Sequence, residues 1–399
     1  MKKLMRDPDL DQLVEELNRT DTPRPRAVDD PSTSLGMPAA PPSTVPEGSA
    51  FETLLADMVE RGASDLLIVA GSAPAFRING RLLQSDRDPL SAEEVRVLLA
   101  PFTSGRLRER IEAEGAADLS LRATGMRFRI NVHRQRGTLA ASVRALPTNV
   151  PTLTQLELPA SLAELMKPTR GLVLLCGPTG SGKTTTLAAL VGEINRTSAR
   201  HVITIEDPIE YEHRNASSII EQIEVGRDAP TFASALRAAL RQDPDVILVG
   251  EMRDLETVST ALTAAETGHL ILATLHTSDA AQAIHRIVDV FPPLQQMQIR
   301  HQLALSLNAI VCQHLVPRSD GTGRAVAVEV LLANHAVRNH IRNEKLQNLI
   351  TEITLGKRQG MISLEDSLAT LVRRGAITPE DAKIRAPRPD ELESLLRSR

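Results

Sequence analysis

Eight consecutive residues constrain this chain more than any others. Gly177-Pro178-Thr179-Gly180-Ser181-Gly182-Lys183-Thr184 satisfies G-x-x-x-x-G-K-[ST] at every fixed position. An apolar run, residues 171–176, leads into it, and residues 185–195 read as the helix leaving. Strand, glycine-rich turn and helix in register form a cradle for phosphate groups. The glycines let backbone N–H groups wrap the phosphates, and the helix N-terminus adds its dipole. Lys183 is placed to neutralise β- and γ-phosphate charge, the Thr184 hydroxyl to take a position on Mg²⁺, and Thr185 completes the set. The pattern predicts a nucleoside triphosphate site.

The text around the motif agrees with an α/β sheet. Apolar runs at 172–176, 202–205, 246–249 and 270–275 alternate with helical segments, the mark of parallel strands joined by crossovers. Residues 159–385 are read as this domain, turning mostly helical after about 325, with a charged tail at 386–399. Upstream, residues 51–146 read as a separate α+β domain. Residues 51–62 are helical, with Leu54, Leu55, Met58 and Val59 on one face; 66–70 form a strand; and Asn79-Gly80 between apolar flanks is a strong hairpin signal. Ser91 and Glu94 form a capping box. Residues 127–133 alternate strictly, so Phe128, Ile130 and Val132 face a core and Arg127 and Arg129 face the other way. A Pro- and Thr-rich linker spans 147–158.

The first fifty residues differ again, holding eight of the 25 prolines. Residues 19–49 read as a flexible linker with too little apolar surface to fold. Before it, Leu10, Leu13, Val14 and Leu17 recur at helical spacing. A short helix at a chain end explains them, and a partner-binding helix is the sharper alternative. The segment 1–50 is left as an extension without an assigned role.

Composition removes several classes of function. A formal net charge of −4 lacks the basic excess of a nucleic-acid binder, and six Phe, one Tyr and no Trp cannot supply base-stacking platforms. Two cysteines, Cys176 and Cys312, are too few for a four-cysteine zinc site. No apolar run approaches the roughly 18 residues that span a bilayer, and the start of the chain lacks a secretory signal, so a cytoplasmic location is expected.

Phosphoryl transfer also needs an acid. Glu251 closes the apolar run 246–249 after Gly250, at the strand end where ligands sit in an open α/β sheet. Glu206, Asp207 and Glu210 crowd the end of run 202–205 and suit metal or water positioning, or form only a polar turn stopped by Pro208. His269 and His276 bracket run 270–275. As strand residues they stand ~23 Å apart, too far to share a metal, and His276 is the better placed to sense a phosphate. Arg237 and Arg241, four apart on an amphipathic helix at 231–242, read as a solvated or subunit-contacting face.

Taken together, the phosphate loop, the stretch Ile203–Glu210, the stretch Leu248–Asp254 and the stretch Thr267–His276 resemble the Walker A, Asp box, Walker B and His box of the secretion ATPase superfamily, in family order. The chain is most similar to its PilT-like pilus-retraction branch, from about residue 51 to 378. The resemblance implies a PAS-like N-terminal domain followed by a RecA-like P-loop ATPase domain, six subunits in a homo-hexameric ring, and ATP with Mg²⁺ as cofactors. It implies Glu251 as catalytic acid and metal ligand, with Glu206, Asp207, Glu210, His269 and His276 completing the nucleotide pocket. Arg127, Arg129 and Arg144 would reach phosphates across domains or subunits. The implied work is pilus retraction at the cytoplasmic face of the inner membrane, through a membrane platform protein and with a paralogous retraction ATPase as a further partner.

Two departures stand out. The family's A-I-R-N-L-I-R-E box is matched here by residues 336–343, where His340 replaces a Leu and Asn343 the final acid. Assembly and type II secretion ATPases carry a four-cysteine insertion that this chain cannot build. An assembly or secretion ATPase, and an accessory subunit regulating a paralogous motor, are the alternatives.

Overall fold

The computed structural model describes residues 48–397 apart from 79 and 104. The helical pattern at Leu10–Leu17, the linker after it as far as residue 47, and Asn79 of the hairpin turn lie outside the described residues.

The N-terminal unit opens with α1 (Ala50–Glu60), whose N-cap Ser49 accepts from Glu52 N. Then come β1 (Asp65–Val69), β2 (Ala75–Ile78), β3 (Arg81–Gln84), α2 (Ala92–Leu99), α3 (Gly105–Glu114), β4 (Ala116–Ala123), β5 (Met126–Gln135) and β6 (Thr138–Leu146). The expected capping box at Ser91 and Glu94 starts α2. The six strands make one antiparallel sheet, ordered β3-β2-β1-β6-β5-β4. Phe128, Ile130 and Val132 are fully buried on it, with Phe51, Leu55 and Met58 of α1 in the same cluster. The strict alternation of β5 is what a one-sided core demands.

The second unit holds β7 (Gly171–Cys176), α4 (Lys183–Thr197), β8 (His201–Glu206), β9 (Ile219–Glu224), α5 (Phe232–Ala239), β10 (Val246–Val249), α6 (Leu255–Glu266), β11 (Leu270–Leu275), α7 (Ala280–Asp289), α8 (Pro293–Ser306), β12 (Leu307–Pro317) and β13 (Arg324–Leu332). Its sheet runs β13-β12-β7-β11-β10-β8-β9, parallel except for the antiparallel edge strand β13. Along each central strand alternate residues enter opposite cores. Leu172 and Leu174 join one, Val173 and Leu175 the other. Both faces are covered, so the strands read as unbroken apolar runs. Burying each such side chain contributes roughly 1.5–3 kcal/mol.

The four expected runs are β7, β8, β10 and β11, the middle of the sheet. The chain is mostly helical towards its C-terminal end, as expected, but the change comes after residue 332 rather than at about 325, because β13 occupies residues 324–332 and pairs antiparallel with β12, a strand that the sequence pattern does not reveal. Beyond it α9 (His335–Arg342), α10 (Leu349–Leu355), α11 (Leu364–Arg373), α12 (Pro379–Arg385) and α13 (Pro389–Arg397) complete the described chain. The stretch read as a charged tail therefore contains α13, whose Leu392 is buried in one cluster with Leu364 and Leu368 of α11. No described helix is long and apolar enough to cross a membrane.

Candidate active site

The phosphate loop leaves β7 through three glycines in the left-handed region, Gly177 (φ +148°), Gly180 (φ +77°) and Gly182 (φ +88°). Two of them also sit against β12. A Cβ on Gly177 would lie 2.5 Å from the backbone Gln313 O, so no larger residue fits there, and one on Gly182 would displace the Gln313 side-chain amide 2.8 Å away on a backbone whose φ favours glycine. Lys183 Nζ, buried, donates to Gly177 O (2.7 Å) and Pro178 O (3.0 Å), and burial pushes its pKa down. The N-terminus of α4 has no side-chain cap, and Ser181 Oγ is buried with no hydrogen-bond partner among the described residues. Open helix N–H groups, a bent lysine and an orphaned hydroxyl fit an anion such as a chain of phosphates.

A cavity of about 630 Å³ opens beside the loop, lined by Pro178, Thr179, Glu251, Arg253, His276 and Arg286. Glu251 follows Gly250, whose N donates to Ile205 O (2.7 Å) and where a Cβ would stand 3.0 Å from that same carbonyl. The Glu251 carboxylate is bound by Arg253 and lies 3.1 Å from His276 Nε2. His276 Nδ1 is 3.5 Å from Thr179 Oγ1 of the phosphate loop. Burial, followed by the charge of Lys183, lowers the His276 pKa, so the ring is neutral at neutral pH.

The acids after β8 stand on a separate loop. Glu206 Oε1 accepts from Thr204 (2.7 Å) and Gln222 (3.1 Å), while burial raises the carboxyl's pKa. Asp207 is exposed and joined to Pro208 by a cis bond. Tyr211, the chain's one tyrosine, donates to Thr185 Oγ1 (3.1 Å) and ties this loop to α4. Glu224 of β9 accepts from Ile209 N (3.2 Å). Arg127 crosses from the N-terminal sheet into the same loop, donating to Ile209 O (3.0 Å) and pairing with Glu212 (3.0 Å).

Comparison with known proteins settles the family. Residues 49–380 match the profile of the Type II/IV secretion system protein family. The chain belongs to that family. It is 42% identical over 338 residues to the "Type IV pilus retractation ATPase PilT" of Pseudomonas aeruginosa, spanning 84% of this chain and 98% of the relative. It is 42% identical over 325 residues to a "Twitching motility protein" of Neisseria gonorrhoeae, spanning 81% and 87%. Its fold is similar to the crystal structure of the pilus retraction motor PilT with bound ADP, with TM-score 0.80 and 46% identity over 86% of this chain and 98% of that one. The chain is a PilT-like secretion ATPase.

Within this secretion ATPase the predicted residues divide. Glu251 and His276 line one cavity with Pro178 and Thr179 of the phosphate loop, Lys183 is near enough to feel the charge of Glu251, and Thr184 and Thr185 follow it in the first turn of α4. Glu206, Asp207 and Glu210 stand on the neighbouring loop. His269 lies elsewhere: a six-residue strand separates it from His276, and its Nδ1 meets Ala264 O at 3.2 Å, a structural contact at the far end of the sheet. Arg129 pairs with Asp118 (3.3 Å) and Arg144 with Asp65 (2.8 Å), both within the N-terminal domain. Sequence reasoning missed Gln313, 1% exposed on β12, which accepts from Thr186 Oγ1 (2.8 Å) and donates to Ser181 O (2.7 Å). It also missed Arg286, which lines the cavity. Both sit on elements distant in sequence from the motif, and only their chemistry beside apolar neighbours marked them.

Proposed function

We propose that this chain is the ATP-hydrolysing subunit of a hexameric motor that drives retraction of a type IV pilus. The observation that carries the reading is the Glu251–His276 pair facing the phosphate loop across one cavity, in a chain with retraction-type relatives. Lys183 and the N-terminus of α4 hold the triphosphate. Glu251 takes the proton of an attacking water, and His276, joined to both Glu251 and Thr179, registers whether the terminal phosphate is present. Mg²⁺ bound with the nucleotide neutralises phosphate charge, and Thr184 and Glu251 are the residues that would hold it. Arg127 couples the Asp-box loop to the N-terminal domain, and Arg129, paired with Asp118 and partly exposed, is the residue that would serve a neighbouring subunit's phosphates. Hydrolysis then turns one domain against the other, and the ring pulls on a platform protein at the cytoplasmic face of the inner membrane, alongside a paralogous ATPase.

Deleting the gene and counting surface pili tests the direction of work. A retraction motor leaves cells with more pili and no twitching, restored by wild type and not by Glu251→Gln. Cells without pili would reverse the reading in favour of an assembly motor.

A further inference from the structure

The edge hairpin β12–β13 reaches the active site twice. Gln313 grips the phosphate loop. On the other side the hairpin holds the turn that follows His276. His314 Nε2 of β12 donates to Ser278 O (3.1 Å), and Glu329 of β13 accepts from Ala280 N (3.1 Å), the first residue of α7. The turn between β11 and α7 is only four residues long, His276 to Asp279, and both ends of it are anchored: His276 to Glu251, Ala280 to Glu329.

We propose that Glu329 is a positioning residue for hydrolysis, fixing the His276 turn through its bond to Ala280 N so that His276 stays in register with Glu251 and Thr179. The inference rests on the proposed role of His276. Three features single out Glu329. It is a carboxylate inside a sheet, on a strand whose other side chains are largely apolar, where an uncompensated acid is costly. Its partner is the first N–H of α7, which the Asp279 cap leaves over because that side chain accepts from Gln282 N instead, and an oxygen acceptor is favoured there. The charged and titratable groups that bear on it include Asp279 at the start of α7, the buried Glu365 of α11 with its partner Arg388, and Cys312 directly opposite on β12. Arg388 is paired with Glu365 and Glu391, and Glu329 makes no salt bridge among the described residues. Burial pushes its carboxyl up to about 7, and either protonation state leaves an oxygen lone pair for Ala280 N–H. The bond's geometry is therefore what the position requires, more than its charge.

That distinction sets the test. Steady-state ATPase kcat and KM, with ADP affinity by calorimetry, are measured on the full chain carrying Glu329→Asp, Glu329→Gln, His276→Ala, and His276→Ala combined with Glu329→Asp. Asp keeps the charge and is one methylene too short; Gln keeps the reach and loses the charge. Glu329→Asp is expected to lower kcat at least fivefold with KM and ADP affinity within twofold, while Glu329→Gln keeps at least half the wild-type kcat. In the His276→Ala background Glu329→Asp should cost less than twofold, because the group it positions is gone. Wild-type kcat for Glu329→Asp, a Gln variant as impaired as Asp, or fully additive losses would each overturn the proposal. A His276→Ala enzyme at wild-type rate would instead remove the role of His276, and the inference with it.

Discussion

His276 Nε2 stands 3.1 Å from Glu251 Oε1, and the same carboxylate is bound by Arg253. Two partners on one acid mean that Glu251 is oriented rather than left to swing in solvent. Its side chain is only 19% exposed, so the orientation is fixed by protein and not by water. An anion presented in this way beside a phosphate loop suits removal of a proton from water.

Glu251→Gln is nearly isosteric and still accepts from His276, but it cannot accept a proton. Turnover is expected to fall about 10²–10⁴-fold, with ATP affinity within threefold of wild type. Single-turnover hydrolysis and calorimetry measure the two separately; unchanged turnover would move the base elsewhere, with Glu206 next in line.

Gln313→Ala removes both of the bonds that join β12 to the phosphate loop and leaves Thr186 Oγ1 and Ser181 O without that partner. A loss of about 2–3 kcal/mol in stability is expected from two buried hydrogen bonds, together with weaker nucleotide binding because the loop loses its brace. Denaturant unfolding with and without ADP checks this, and a variant of wild-type stability and affinity would show the brace to be idle.

Much of this is legible in the sequence. The phosphate loop announces itself because its glycines answer a backbone requirement that no other residue meets, and the central strands because both faces are covered. The capping box and the alternation of residues 127–133 are equally local signals. β12 and β13 were not legible in the same way. Residues 307–317 place Gln313 and His314 inside an apolar run, and residues 324–332 place Glu329 in another. Their polar side chains break the strand pattern because they serve a site formed by distant segments. Arg127 was read as pointing away from its own core, which is correct, but a sequence cannot show that the face it points to is covered by the Glu206–Glu212 loop. His269 was grouped with His276 by family box, whereas the length of β11 keeps them at opposite ends of the sheet.

Arg127→Ala should separate the domains mechanically. Arg127 is buried within the field of Glu224 and Glu206, and it pairs with Glu212. Removing it deletes charge-assisted bonds worth about 1.5–3 kcal/mol each and leaves buried carboxylates with less compensation. Calorimetric unfolding is expected to split from one transition into two, with the linker at 147–158 cut faster by protease. A single transition at the wild-type temperature would mean that the domains are held by other contacts.

Glu329 also predicts how stability depends on pH. Its folded pKa is about 7, above the usual 4.5, so the folded state binds the proton more tightly than the unfolded one. The contribution is present in full below about pH 4.5 and is lost as pH rises to about 7, on the order of 2–3 kcal/mol across that window. Glu329→Gln cannot ionise and should show no such loss. Unfolding free energies from pH 5 to 8 should therefore fall more steeply for wild type than for the variant, and parallel curves would contradict the raised pKa.

The last prediction concerns Arg129. In its own chain it lies on the N-terminal sheet beside Asp118, 3.3 Å away, with 37% of its side chain exposed. Its partner is Asp118 of the N-terminal sheet, whereas Arg127 is spent on the Asp-box loop of the same subunit. If Arg129 serves hydrolysis, it does so in a neighbour's pocket, where it stabilises charge that spreads over the phosphoryl oxygens in the transition state. Arg129→Ala should then lower kcat more than tenfold while KM changes less than threefold, the signature of a contact made chiefly in the transition state. The decisive arrangement is a mixed ring. Lys183→Ala subunits cannot hold nucleotide but keep Arg129, and Arg129→Ala subunits hold nucleotide but lack the arginine. Each alone should be inactive, and mixing them in equal amounts should restore a measurable part of the wild-type rate, because some pockets with an intact Lys183 then face an intact Arg129. Mixtures no more active than the separate variants, under conditions where subunits are shown to exchange, would confine Arg129 to its own chain and make the pair with Asp118 its whole role.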